Sequence, residues 1–161
     1  YVIYANQCGK TNKPVKIATV SGKSKTIKKV NSKKLKKGKY YKFIVVALDN
    51  QNMVVTTSKL IHVATKGGKY GNHKSIKVKK SVITKAKKLK AGKSLKVNAK
   101  AVVQSKKLKV QKHVAIRYES TDKSIATVSK KGVIKAKKKG TCNVYAYAQN
   151  GVFKKIKVVV K

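Results

Sequence analysis

The sequence predicts an all-β protein that contains two Ig-like or fibronectin-like β-sandwich modules in tandem. Three observations support this fold class: apolar residues alternate with lysine along many short segments, turn residues separate these segments regularly, and no segment has the period of a helix. Two modules of about 65 to 90 residues fit the 161-residue chain, whereas a large enzyme fold does not.

The first half of the chain predicts an antiparallel sheet. Residues 1–5 and 14–20 are predicted as short strands on either side of a turn-rich stretch. Over residues 41–47 every second residue is apolar, and further apolar residues between them indicate a strand that is partly buried on its second face. A turn cluster at 49–52 then leads to a returning strand over 54–64.

A glycine-rich stretch over residues 66–72 has little apolar surface to bury. Such a composition predicts a linker that permits hinge motion. We therefore expect a first module at residues 1–66, a linker at 67–75 and a second module at 76–161.

The second half predicts seven short strands and no helix. Two hairpins are expected at Lys131-Gly132 and Asn150-Gly151, the latter because both residues tolerate positive φ. Gly92 and Gly140 are expected to close two further turns. Regular short strands of this kind indicate a sandwich. The predicted strands cover residues 76–78, 95–103, 114–118, 125–128, 134–136, 142–148 and 153–160.

The motifs of residues 76–161 resemble those of the bacterial Ig-like domain of group 2, a module of cell-surface proteins. The resemblance implies core roles for Tyr118, where the family often has Trp, and for Cys142, where Ala is common. It also implies that Asp122 caps a turn. The residues that carry it are 118–128 (YESTDKSIATV), Gly132, Ile134, Ala136, Gly140, Thr141, Cys142, Val144 and Ala146.

Residues 1–66 resemble the C-terminal part of a fibronectin type III domain. The resemblance implies that Tyr41 packs at a corner of the sandwich. The first two strands of that family would precede Tyr1, so we expect a fragment whose first module is completed by upstream residues, by another chain or by a variant topology. The matching residues are Leu35, Gly38, Tyr41, Phe43, Val45 and Ala47.

The charge balance is extreme, with 43 lysine and arginine residues against three acids and a formal net charge of +40. Arg117 is the only arginine. Because lysine is a hydrated point charge and lacks the planar fork that reads bases, this surface favours diffuse attraction over sequence reading. Lysine also serves as the solvated residue of each strand and deters edge pairing.

Residues with catalytic or ligand-binding chemistry are few. The acids are too sparse for paired-carboxylate catalysis or for a calcium site. His62, His73 and His113 lack the spacing of a zinc site, and Cys8 and Cys142 are expected to be free thiols, with Cys142 facing inward. We therefore expect no catalytic residue, no metal and no cofactor.

These observations predict a non-catalytic structural or adhesion module without insertion into a membrane, and the resemblance implies a secreted surface protein of a Gram-positive bacterium. Its expected partners are anionic polymers such as teichoic acid or acidic glycans, together with other domains of the same chain. Two alternatives stay open: a carbohydrate-binding accessory module of a larger enzyme, and a non-specific binder of nucleic acid or heparin. Tyr145 and Tyr147, outward on one strand, are the only close aromatic pair for stacking on bases.

Overall fold

The computed structural model describes residues 1–161 and divides them into two compact units. The first unit contains residues 1–72 and 105–113, and the second contains residues 73–104 and 114–161. Residues 105–113 therefore belong to the first unit although they lie between two strands of the second unit in the sequence. The predicted module boundaries contained no such exchange.

The first unit is built on one antiparallel sheet with the order β2-β1-β5-β6, in which β7 also pairs with β5. The two-residue strands β3 and β4 form a separate small hairpin. The long strand β5 lies at the centre and pairs with β1 along one edge and with β6 and β7 along the other. The strands are β1 Val2–Gln7, β2 Val15–Thr19, β3 Lys29–Val30, β4 Lys33–Lys34, β5 Tyr40–Leu48, β6 Val54–Thr57 and β7 Ile61–Ala64.

The predicted returning strand over residues 54–64 is two strands, β6 and β7, and this expectation was therefore wrong. The break lies at Ser58, whose backbone amide donates to the Val45 carbonyl at 2.8 Å. The Ser58 hydroxyl in turn accepts a hydrogen bond from the Val45 amide at 2.9 Å. A side chain thus replaces one rung of the backbone ladder, as serine often does where regular pairing ends.

The core of the first unit is small and is centred on Tyr41. Ala5, Val30 and Tyr41 are buried, and Leu35 and Phe43 pack against them. The Tyr41 hydroxyl accepts a hydrogen bond from the Lys36 amide at 3.0 Å. A buried tyrosine that binds backbone a few residues upstream is the contact found at the tyrosine corner of Ig-type sandwiches.

The second unit is a β-sandwich, as the sequence predicted. Its two three-stranded sheets have the orders β11-β14-β15 and β12-β13-β9, and β10 pairs with β8 in a third, two-stranded sheet. Alternation buries Val144, Ile156 and Val158 from one sheet against Ile134 from the other. The elements are β8 His73–Lys77, α1 Lys80–Ala86, β9 Ser94–Lys96, β10 Lys100–Val103, β11 Arg117–Ser120, β12 Ala126–Val128, β13 Val133–Ala136, β14 Gly140–Tyr147 and β15 Phe153–Val160.

The short helix α1 corrects the expectation that the chain contains no helix. Val82 and Ala86 are buried, and Leu89 continues the same stripe beyond the end of the helix. The spacing of these residues is i, i+4, i+7, the period of an amphipathic helix. Only three apolar positions carry the pattern within a lysine-rich stretch, so the alternating strands around it concealed it. The helix is too short to span a membrane, and the structure contains no other helix.

The predicted strand over residues 95–103 is also two strands, because the chain bends at Asn98. Asn98 has a φ of 50°, a left-handed conformation that interrupts a strand. The bend moves the chain from β9, which pairs with β13, to β10, which pairs with β8. Val97 is nevertheless fully buried, and Leu95 and Ala99 pack against the core.

Both predicted hairpin turns of the second unit are present, but only their glycines have positive φ. Gly132 has a φ of 75° and Gly151 a φ of 86°, whereas Asn150 does not enter the left-handed region. In the second hairpin the Gly151 amide donates to the Ala148 carbonyl at 3.0 Å and the Ala148 amide to the Val152 carbonyl at 2.8 Å. This is a three-residue loop that ends in a left-handed glycine, not the two-residue turn expected.

Candidate functional site

The most extensive feature of the surface is a lysine coat, which consists of every lysine except Lys42 and Lys154. All of its side chains are exposed, while those two are half-buried. On β15 the alternation is regular, with Lys155 and Lys157 exposed between buried Ile156 and Val158. The cores exclude lysine because burying an unpaired ammonium group costs about several kcal/mol. A cost of this size makes a buried lysine lose its proton instead of staying charged. The same alternation that builds the cores therefore places the charge outside.

Two of the three acids hold turns together. The Asp49 carboxylate accepts hydrogen bonds from the amides of Gln51 and Met53 at 2.9 and 2.8 Å. The Asp122 carboxylate accepts bonds from the Ser124 amide and hydroxyl, and these bonds lower the Asp122 pKa. These carboxylates are thus committed to local backbone structure, and the surrounding potential stays strongly positive.

The charge is spread thinly over a large surface. The accessible area of 11110 Å² shared among a net charge of +40 leaves about 280 Å² for each charge, a mean spacing of about 17 Å. Screening extends about 8 Å at physiological salt and about 30 Å at 0.01 M. At this mean spacing, the charges are therefore largely screened from one another at physiological salt. They attract a polyanion together when salt is low.

A second surface feature is the aromatic face, formed by Tyr145, Tyr147 and Phe153 on the outer side of the sheet β11-β14-β15. The rings of Tyr145 and Tyr147 stack with centroids 5.9 Å apart, and Phe153 lies 5.4 and 5.8 Å from them. Phe153 is directly opposite Tyr147 in the antiparallel register and is 56% exposed. A partly exposed aromatic cluster on the outer side of a sheet is the kind of surface on which a sugar ring or a base stacks.

Polar groups flank the aromatic face. Arg117 lies opposite Tyr147 and Glu119 lies opposite Tyr145 in the register of β11 and β14. Burial raises the pKa of Tyr147, and the nearby Glu119 carboxylate raises it further, partly by accepting the hydrogen bond of the phenol. Burial also lowers the pKa of Arg117, an effect that Glu119 opposes. Arg117, Glu119 and the three rings thus share a single face with Lys155, which lies opposite Tyr145.

The other residues singled out from the sequence lie in turns and in the core. Tyr118 packs against the core, and a Cβ built on Gly132 would lie 2.6 Å from its Cζ. Cys142 is buried on the inward side of β14, as predicted, and burial raises its pKa. Gly140 begins β14, and the Asn150 amide group donates to the His73 carbonyl at 2.8 Å. These residues therefore stabilise the fold, and they do not form a catalytic or binding cleft.

The structure brings together three side chains that the sequence analysis had treated as unrelated. The ligand atoms of Cys8, His62 and His113 all lie within 4.8 Å of one another in the first unit. The expectation that the histidines are scattered is wrong for His62 and His113. Long sequence separation concealed the cluster, because its members lie after β1, within β7 and in the segment 105–113.

The packed sheets, the hairpins and the partly buried Tyr118 define the second unit as an Ig-type β-sandwich, a class of binding and structural modules. Residues 74–159 match the bacterial Ig-like domain (group 2) family, and the chain belongs to this family. Domains of this family typically occur in bacterial surface proteins. No curated protein sequence matches the chain. The family match does not include the first unit, whose resemblance to fibronectin type III stays a prediction.

Proposed function

We propose that this protein is a non-catalytic structural and adhesive part of a secreted protein on the surface of a Gram-positive bacterium. Its lysine coat would hold it to anionic polymers of the cell wall, such as teichoic acid or acidic glycans. The observation that supports this is the exposure of every lysine except Lys42 and Lys154 on both units. The family of the second unit supports the surface location.

The physical basis of this binding is electrostatic and non-directional. A flexible, hydrated ammonium group contacts phosphate or carboxylate as a point charge and requires no fixed geometry. Binding releases the counterions condensed on the polymer, so the affinity depends steeply on salt and weakly on the sequence of the polymer. Nucleic acid and heparin are therefore also expected to bind, but without specificity.

Retention on purified cell wall tests the proposal. Walls from one Gram-positive strain are compared before and after chemical removal of teichoic acid, over a range of salt concentrations. We expect strong retention on intact walls at low salt, loss of retention as salt rises, and weaker retention on stripped walls. Retention that is insensitive to salt, or equal on intact and stripped walls, would contradict the proposed binding to teichoic acid.

The aromatic face supports a second candidate function, the binding of a carbohydrate as an accessory module of a larger enzyme. Stacking on Tyr145 and Phe153, with hydrogen bonds donated by Arg117 and accepted by Glu119, would survive in high salt because it does not depend on net charge. A glycan array at high salt separates this function from the lysine coat. Tyr145→Ala is expected to abolish a genuine signal, and Tyr1→Ala, which removes an exposed tyrosine from the first unit, serves as the control.

For the first unit we propose a fibronectin type III-like fold. The buried corner contact of Tyr41 and the central position of β5 in the antiparallel sheet support it. An experimental structure of the full chain is the direct test. A first unit whose strands form one layer without a second sheet around Val30 and Leu35 would contradict this assignment.

A further inference from the structure

Three segments of the first unit position the cluster of Cys8, His62 and His113. Cys8 follows β1 and is held by its amide, which donates to the Tyr40 carbonyl at 2.8 Å. His62 lies within β7, opposite Lys42 of β5, and is only 7% exposed. His113 ends the segment 105–113 and is exposed. The three side chains of the cluster, one buried, one half-buried and one exposed, thus meet at one place in the first unit.

The distances between the donor atoms are close to those between the ligand atoms of a metal centre. Cys8 Sγ is 3.3 Å from His62 Nδ1, and the three ligand atoms all lie within 4.8 Å of one another. Bonds of about 2.3 Å to sulfur and about 2.0 Å to nitrogen in a tetrahedral arrangement separate the ligand atoms by about 3.3 to 3.5 Å. The Cys8 and His62 atoms already have this separation. The exposed ring of His113 needs a movement of about 1 Å, well within the freedom of a side chain.

We propose that Cys8, His62 and His113 form a binding site for a single thiophilic metal ion of the zinc and cuprous class. A thiolate and two imidazoles are the donor set that such ions prefer over oxygen ligands. Three protein ligands leave a fourth position open to water or to a further ligand. On binding, the Cys8 thiol loses its proton to solvent and its sulfur forms the bond to the metal.

The surroundings of the cluster support a metal site over a set of surface residues. Tyr40 packs on His113 with ring centroids 4.5 Å apart, and the rings of His62 and His113 stack with centroids 4.9 Å apart. The Tyr40 hydroxyl accepts a hydrogen bond from the Gln111 amide at 3.1 Å, two residues before His113. The backbone beside His113 is therefore held in place, and its ring must turn out of the stack on His62 to share an ion with it.

Lys42 lines the same pocket as the three donor side chains. The Lys42 ammonium group donates to the Gly9 carbonyl at 2.9 Å. A bound thiolate would cancel one charge of the ion in this strongly positive chain.

A cysteine nucleophile with His62 as its base is the other chemistry that this geometry permits. A dyad uses only the thiol and one imidazole. It therefore gives no role to His113, whose ring stacks on His62. The metal site uses all three side chains, and the dyad becomes an outcome of the test.

The test uses the full chain, reduced and freed of metal by chelation. It is titrated with Co²⁺ as a spectroscopic probe, then with Zn²⁺ and with Cu⁺ in competition with a chelator of known affinity. We expect one ion per chain, a thiolate-to-cobalt charge-transfer band, and displacement of cobalt by the tighter of the two ions. Binding of neither ion above the background of a chelator blank would overturn the proposal.

Variants assign the ligands. Loss of a neighbour that merely orients a ligand costs about 10-fold to 100-fold in metal affinity, so Cys8→Ser and His113→Gln are expected to lose at least that much. Cys142→Ala and His73→Gln remove the same chemical groups outside the cluster and should bind like the original chain. His113 is exposed, so His113→Gln is expected to keep its fold, which circular dichroism checks.

Alkylation separates the metal site from the dyad. Zn²⁺ is expected to slow the reaction of Cys8 with iodoacetamide at least about tenfold, because the bound thiolate is no longer free. Rapid alkylation of Cys8 that zinc does not slow, or stoichiometric binding that persists in Cys8→Ser, would overturn the proposal. These measurements do not involve cell wall or polyanions, so they are independent of the proposed function.

Discussion

The salt dependence of polyanion binding can be worked out from the surface of the molecule. A standard interface takes about 800 Å² from each partner. With about 280 Å² for each net charge, such a footprint holds about three ammonium contacts. Duplex DNA is a calibrated polyanion, for which each contact contributes about −0.9 to the slope of log K against log salt. We therefore expect a slope of about −2.6.

That slope predicts that the affinity for duplex DNA falls about 40-fold between 50 and 200 mM salt. Fluorescence anisotropy with a labelled duplex, repeated at five or six salt concentrations, measures it directly. Two unrelated duplex sequences of equal length should give the same line, because point charges read no bases. A third measurement with purified teichoic acid shows whether the wall polymer follows the same behaviour.

Two results would refute this reasoning. A slope near zero would mean that the lysines do not contact the polymer as charges. A slope steeper than about −6 would mean that charges are gathered in one dense site, contrary to the mean spacing of about 17 Å on which the calculation rests.

Three further predictions follow from single contacts. Gly132→Ala should destabilise the second unit by at least about 2 kcal/mol in urea unfolding, because its Cβ would lie 2.6 Å from Tyr118 at a φ of 75°. Gly92→Ala, at a φ of 79° with nothing within 4 Å, is the control and should cost about 1 kcal/mol. Tyr41→Phe should lower the free energy of unfolding by about 1 kcal/mol, because it loses the hydrogen bond from the Lys36 amide. An unchanged free energy of unfolding would mean that the corner contact does not stabilise the fold. Glu119→Gln should lower the pKa of Tyr147 in an ultraviolet titration, because the carboxylate raises it; an unchanged titration would show that burial alone sets it.

Local patterns in the sequence predicted the sheets well, since every second residue of a strand lies on the same face and the buried face is therefore apolar. In β15 the order of Lys155, Ile156, Lys157 and Val158 fixes which side chains are buried, whatever the rest of the fold does. The bend at Asn98 was not foreseeable in this way. Apolar alternation continues through it, and only the pairing of β9 and β10 with different strands reveals the break.

The candidate sites also differ in how far local sequence patterns predict them. The lysine coat follows from composition and alternation, so the sequence predicted it directly. The aromatic face was half-predicted: Tyr145 and Tyr147 are neighbours on one strand, but Phe153 joins them only through the register of β14 with β15. The cluster of Cys8, His62 and His113 has no local signal, because residues from three distant segments meet only after the first unit has folded.

A diffuse coat and a discrete site respond differently when charge is removed at chosen places. The first unit has 20 lysines against Asp49, a formal charge of +19, and the second has 22 lysines and Arg117 against two acids, a charge of +21. Four Lys→Gln changes in either unit leave a net charge of +36. This enlarges the area for each charge by about a tenth and weakens binding to duplex DNA about twofold at 0.1 M salt.

The comparison therefore uses two variants with the same number of changes. One carries them at Lys33, Lys34, Lys36 and Lys37 in the first unit, and the other at Lys130, Lys137, Lys138 and Lys139 in the second. All eight side chains are exposed, so neither variant should alter folding. Because both variants lower the net charge from +40 to +36, they should lose affinity equally if binding is spread over the whole surface. If one variant abolishes binding while the other leaves it intact, the polymer occupies a local site, and the lysines elsewhere serve only solubility.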